Sequence, residues 1–243
     1  MFIGFGTTLN IITILFGAAL GVLVGNRFKD TTRSLMMDVL GAVTLISAAA
    51  SVFAMWDDSF SEAVPKGGAL LVVLAALLIG GGIGSFVDIE SKLERAGVYL
   101  KSKLDKDGKS PFVEGFVTAS LIFVIGPLAI LGSISDGMGT GIEQLTLKSI
   151  LDFFAAIAFA AALGWGVAAS ALPVGIYQFF WTGVGLLAGQ VLSDYQISAM
   201  TAVGGVLLFG IALKLLKIKE IAIGNLLPSL ALAPILAWLA SYL

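Results

Sequence analysis

Phe112–Gly166 reads FVEGFVTASLIFVIGPLAILGSISDGMGTGIEQLTLKSILDFFAAIAFAAALGWG. Two apolar segments flank a short polar hairpin, and each approaches the roughly 20 residues that carry a helix across a bilayer. Reading them as membrane spans sets the class of the whole chain. The stretch also departs from its neighbours. Elsewhere charges collect between the apolar segments, but here Gly126-Pro127 interrupts the first, and Asp152 lies about one turn inside the second, four residues after Lys148. A helix-breaking pair and an acid at membrane depth point to something moving through the protein.

Composition agrees. The 243 residues are 58% hydrophobic and 12% charged, against about 25% charged in soluble domains. The fold class is therefore all-α integral membrane. A net charge of −2 gives no basis for a nucleic-acid partner. The chain has no Cys and no His, which excludes disulfides, thiol nucleophiles, Cys or His metal sites, and Ser-His or Cys-His catalysis. No glycine loop ending in Gly-Lys-Ser/Thr is present, so ATP could drive this chain only through a partner subunit. Neither cofactor, metal nor enzymatic activity is expected. The first apolar stretch lacks a basic leader and reads as a retained helix rather than a signal peptide.

On the length scale of a bilayer the chain holds eight segments: Thr7–Val24, Val39–Trp56, Gly68–Val87, Phe112–Ile134, Leu147–Trp165, Leu172–Ala188, Ile197–Leu213 and Leu226–Leu243. Charge placement tests this count. Twelve of the fourteen Lys and Arg fall in the first, third, fifth and seventh connections, and only Lys66 and Lys148 fall in or beside the others. A missed or invented span would scramble that parity. By the positive-inside rule the odd connections face the cytoplasm of a bacterial inner membrane and both termini lie outside.

The chain is read as one polytopic domain, 1–243. Residues 1–87 carry the first helices, 88–110 a cytoplasmic amphipathic loop, 111–170 the central helices and 171–243 the last helices. In the loop Ile89, Leu93, Ala96, Val98, Leu100 and Leu104 form an apolar stripe near helical spacing, suited to lying on the membrane surface, the alternative being a solvated charged linker.

A shift of 164 positions brings Gly21, Leu23, Gly25, Asp30, Ser34, Met36, Val39, Gly41 and Ala48 onto Gly185, Leu187, Gly189, Asp194, Ser198, Met200, Val203, Gly205 and Ala212. The basic residues Arg27, Lys29 and Arg33 fall on Val191, Ser193 and Ile197. Loss of the basic residues is what reversed orientation requires, and segments one and six are an odd number apart. The pattern predicts an inverted-topology repeat, the usual plan of secondary transporters, with the substrate site near the midplane.

Small residues recur at intervals of four: Gly17, Gly21 and Gly25; Gly80 and Gly84; Gly185 and Gly189. Such spacing lets helices approach closely in lipid. Lys148, Asp152, Ala156, Ala160, Gly164 and Ala168 continue it, so Asp152 is expected to face packing neighbours rather than lipid. Two accounts of Asp152 stand. It is a favourable acid near a helix N-terminus, worth about 0.3–1 kcal/mol, or it binds a cation or proton at low dielectric. Proline removes a backbone donor and clashes with the preceding turn, so Gly126-Pro127 gives either a simple kink or a broken helix with free carbonyls. Asn10, Glu114, Asp136, Tyr177, Gln178 and Asn225 are the other polar candidates, with Asn225 just ahead of Pro228 and Pro234. Trp56, Trp165, Trp181 and Trp238 read as interfacial anchors.

Gly115-Phe116-Val117-Thr118-Ala119-Ser120-Leu121, Gly126-Pro127-Leu128-Ala129-Ile130-Leu131-Gly132-Ser133-Ile134 and Asp136-Gly137 together resemble the YqgA/YdfK-like family of bacterial polytopic membrane proteins, a domain of unknown function. Gly6-Thr7 with Asn10, Lys148-Ser149 with Asp152, and Asn225-Leu226-Leu227-Pro228 resemble its other blocks. Phe153 stands where that family's pattern has glycine. The resemblance implies a membrane location and no particular activity. Three readings of function stand. The first is a secondary transporter or channel-like permease for a small solute or monovalent cation, binding at Asp152, Lys148, Gly126, Pro127, Asp136, Asn10, Gln178 and Asn225. The second is a non-transporting scaffold or binding subunit, and the third, remote, is an intramembrane enzyme built on Asp136 and Asp152. The chain also suits a homo-oligomer.

Overall fold

The computed structural model describes residues 2–104, 111–188 and 192–243. Gly189 and the loop residues Lys106 and Lys109 lie outside the described residues. Among the described residues ten helices account for the architecture: α1 Phe5–Gly25, α2 Asp30–Val52, α3 Gly68–Val87, α4 Ile89–Leu104, α5 Phe112–Val124, α6 Pro127–Met138, α7 Glu143–Leu163, α8 Ala171–Ala188, α9 Asp194–Leu215 and α10 Pro228–Ala240. Seven of the described helices are long and apolar enough to cross a membrane, or eight where the bent pair α5 and α6 counts as one span. Two compact units are present. One comprises Met1–Leu40, Leu93–Val124 and Leu128–Val191, the other Gly41–Lys92, Ile125–Pro127 and Leu192–Leu243.

In the first unit α1 and α7 run side by side in the same direction. Gly6 faces Leu145, Gly17 faces Ala156 and Gly21 faces Ala160, a constant offset of 139 positions. A methyl group at Gly17 or Gly21 would collide with the carbonyl of Phe153 or Ile157, so the seam requires glycine on α1 and small residues on α7. With lipid tails as apolar as leucine, such close packing is what holds two spans together. Helix α8 crosses α1 in the opposite direction, with Thr182 beside Thr7 and Gly175 against Ile11. These directions are the ones required of segments one, five and six by the count of spans.

Contacts within each unit follow the shift of 164 positions. Asp30 opens α2, and its counterpart Asp194 opens α9 behind a capping box of Ser193 and Gln196. In the second unit the related stretches run antiparallel: Gly41 packs on Leu216 and Gly205 on Val52. The shift of 164 positions carries Gly41 to Gly205 and Val52 to Leu216, so each contact is the image of the other. In the first unit the same shift carries Ile11 to Gly175, which touch. Exchange of partners under the repeat is the mark of an inverted two-fold relation.

Gly126-Pro127 breaks its span. Gly126 has φ +133°, a conformation that L side chains rarely adopt, and Pro127 opens α6 at 62° to α5. The helix is therefore broken there rather than gently kinked. Pro228 likewise starts α10 instead of disturbing its interior, while Pro234 lies inside it. Helix α7 ends at Leu163 with Gly164 at φ +76°. Gly164 therefore closes the helix, and Ala168 belongs to the separate turn Gly166–Ala169. Trp56, Trp165 and Trp238 are exposed as anchors should be, but Trp181 is half-buried between Tyr177 and Phe180.

Candidate functional site

Helix α7 begins at Glu143, four residues before the hydropathy of the sequence rises. Asp152 is therefore nine residues into a helix of 21, about 14 Å along its axis. Asp152 thus lies well beyond the first turn of its helix, whose start is amphipathic. At that depth the helix dipole contributes little, because its effect falls off within the first turn. The N-terminal account of Asp152 does not hold.

What holds Asp152 is a buried network. Lys148 Nζ sits 2.6 Å from Asp152 Oδ2, Asn10 Nδ2 donates to the same oxygen at 3.0 Å, and Lys148 Nζ lies 5.9 Å from the centre of the Phe123 ring. Lys148 is 6% exposed, Asp152 7% and Asn10 0%. Taking each ion out of water costs several kcal/mol, and replacing a buried pair by well-packed apolar residues is often neutral or stabilising by about 1–4 kcal/mol. Stability alone does not explain the pair.

Around it lie polar atoms with no partner: Asn10 Oδ1, Ser149 Oγ, and both Nε2 and Oε1 of the fully buried Gln178. Helical register sets them at a similar level of the first unit. The offset between α1 and α7 puts Asn10 level with Ser149. Thr182 faces Thr7, one turn from Gln178 on the same face of α8, and Asn10 follows Thr7 by three residues on α1. A buried polar group left without a partner costs about 1–3 kcal/mol, and these four atoms are concentrated where α7 and α8 pack on α1.

Asp136 serves the same unit at the N-terminal end of α1. Its carboxylate accepts from the backbone N–H of Gly4 at 3.2 Å, Gly6 at 3.0 Å and Thr7 at 3.4 Å. A side chain from α6 thus caps α1 and satisfies donors a helix start leaves free. Asp136 also lines a cleft of about 260 Å³ with Phe2, Ile3, Ile142 and Glu143. From that cleft a line of polar groups runs inward through Thr7 and Thr182 to the cluster.

Other candidates lie elsewhere. In the second unit Asn225 Oδ1 accepts from the backbone N–H of Glu90 at 2.9 Å, and the Glu90 carboxylate takes the Gly224 N–H at 2.5 Å and stands 3.7 Å from Lys214. This network ties the turn between α3 and α4 to the start of α10. Gly80 and Gly84 pack there on Ser229 and Asn225, and Gly185 packs in the first unit on Ile134. Glu114 is exposed and Tyr177 half-buried. Ser149 is the residue that sequence reasoning passed over. It lies three residues before Asp152, hence on its face of α7, and that spacing was the available signal.

A family model described as "Protein of unknown function (DUF554)" matches residues 5–238. The chain belongs to this family. It is similar to the "Uncharacterized membrane protein YdfK" of Bacillus subtilis, 29% identical over 235 residues that cover 95% of this chain and 94% of that one. It is similar as well to the "Uncharacterized protein YqgA" of Escherichia coli, 28% identical over 241 residues and 97% of each chain. A more partial likeness joins it to the "Putative manganese efflux pump MntP" of Bacillus velezensis, 29% identical over 182 residues, 71% of this chain and 94% of that protein. No solved structure matches the chain.

Proposed function

We propose that this protein is a secondary transporter or channel-like permease that carries a small cation across the bacterial inner membrane, with both termini outside. Its binding site is the cluster of Asn10, Lys148, Ser149, Asp152 and Gln178. The observation that carries this reading is the set of four unpartnered buried polar atoms beside a carboxylate near the middle of a membrane helix. A bundle in lipid gains nothing from such atoms unless a ligand completes their bonds.

Three features support the reading. Inverted repeats favour alternating access, with the site between related elements near the midplane. The acidic cleft of Asp136 and Glu143 suits the approach of a cation from outside. The name of the Bacillus velezensis relative speaks for cation efflux in a protein of similar sequence. On this reading the chain is no enzyme, and lipid and a small ion are its partners.

The test is flux. Purified protein in liposomes, loaded with a cation-sensitive dye and challenged with sodium, potassium, lithium and manganese in turn, should pass one or more of these ions faster than empty vesicles. Asp152→Asn should return the rate to that of empty vesicles. Equal rates for wild type, variant and empty vesicles across the panel would end the proposal.

A further inference from the structure

A long apolar groove runs between α1 and α8 in the first unit. It holds about 670 Å³, and every residue lining it is apolar, among them Ile11 and Leu15 of α1, Ile176 and Phe179 of α8, Ala168 of the turn before α8 and Leu100 of α4. Ile176 and Phe179 are exposed, so the groove opens to whatever surrounds the bundle. Helix α8 lines it from Ala171 to Phe179, about 12 Å along the axis. One leaflet of a bilayer has roughly 15 Å of hydrocarbon, half of a ~30 Å core. A gap along such a wall forfeits dispersion contacts unless something fills it, and in a membrane the apolar material at hand is an acyl chain.

One end of the groove is charged. Helix α4 is held there by the buried Gly97, which packs on Phe116 and Val113 near the start of α5. Leu100 follows Gly97 by one turn on the same side and reaches the groove. Lys101 and Lys103 stand in the last turn of α4, and no acid separates them from Arg95. Lys103 is exposed and lies 6.0 Å over the Tyr99 ring. A lysine stem lies along apolar surface while its ammonium stays at the polar boundary, where basic clusters beside membrane helices hold anionic headgroups.

We propose that this groove is a binding site for an anionic glycerophospholipid, with one acyl chain between α1 and α8 and the phosphate at Lys101 and Lys103. The two halves of the site select that chemistry together. A free phosphate would use the lysines and leave the groove empty. An apolar helix of a second copy would fill the groove and leave the lysines without an anion. A phospholipid of net negative charge uses both.

The experiment is native mass spectrometry of the full chain released from detergent, titrated with phosphatidylglycerol or phosphatidylethanolamine of identical acyl chains. Wild type should retain one phosphatidylglycerol with an apparent Kd roughly 25-fold below that for phosphatidylethanolamine, about fivefold for each lysine. Lys101→Gln combined with Lys103→Gln should erase that preference. Ala168→Phe fills the groove from a half-buried position and should weaken both lipids. Ala169→Phe, in the same lining, repeats this test where the first variant fails to fold. Equal affinity of wild type for the two lipids, a preference that survives in the double lysine variant, or unchanged binding in a folded groove variant would overturn the proposal. Displacement of the lipid by excess glycerol 3-phosphate would place recognition in the headgroup alone and overturn it. Retention of a second chain in place of lipid would overturn it as well and assign the groove to self-association.

Discussion

Separating structure from function at the ion pair calls for a double-mutant cycle on Lys148 and Asp152. The two side chains are 6% and 7% exposed, so the small energies of surface pairs, about 0–1 kcal/mol, do not apply. Lys148→Met strands a carboxylate whose remaining bond is to Asn10, and Asp152→Leu strands an ammonium facing the Phe123 ring. Each single change should destabilise the protein by about 3–5 kcal/mol, and the double change should recover most of that or exceed wild type. Reversible unfolding in mixed micelles, monitored by tryptophan fluorescence, gives the four stabilities. Flux is measured on the same four proteins. The expected result is a double variant that is stable and inactive, because apolar residues replace the packing of the pair but not its chemistry. Single variants that each lose less than about 1 kcal/mol would refute the buried geometry. A double variant that still transports would refute the role of the pair.

Further outcomes follow from individual contacts. Gly21→Val drives side-chain atoms into the Ile157 carbonyl and should lose about 1–3 kcal/mol or more, whereas Gly183→Ala, with nothing within 4 Å of its added carbon, should be neutral or gain up to about 1 kcal/mol; thermal unfolding in detergent compares them. Asp136→Ala leaves the N–H groups of Gly4, Gly6 and Thr7 without their acceptor and should destabilise by about 1–3 kcal/mol, with faster hydrogen exchange at the start of α1. The chain has no native cysteine, so Ser149→Cys and Gln178→Cys can be labelled singly. Both should react with small aqueous thiol reagents and be protected by the transported ion, while Ala160→Cys in the closed seam should stay unlabelled.

Much of this architecture is legible in the sequence because lipid imposes long apolar runs. Hydropathy finds the spans, and the parity of Lys and Arg orders them without any contact information. The shift of 164 positions exposes the repeat because both copies keep glycines where two antiparallel helices touch, as at Gly41 and Gly205. Depth is less legible. Helix α7 starts with polar Glu143 and Gln144, so hydropathy places its beginning too late and Asp152 too near the helix start. Partners across helices are not legible at all. The offset of 139 positions that sets Asn10 beside Ser149 depends on how glycines seat against carbonyls, which no local pattern records. The same limit hides the capping of α1 by Asp136, whose residues lie more than 125 positions apart.

The most direct test of the central claim is cation flux through the Asp152 cluster. Liposomes containing wild-type protein, Asp152→Asn protein or no protein are compared for uptake of each cation in the panel under an imposed gradient. The account predicts selective uptake by wild type alone, with the variant matching empty vesicles although it reconstitutes and folds. Equal uptake by wild type and Asp152→Asn would contradict it.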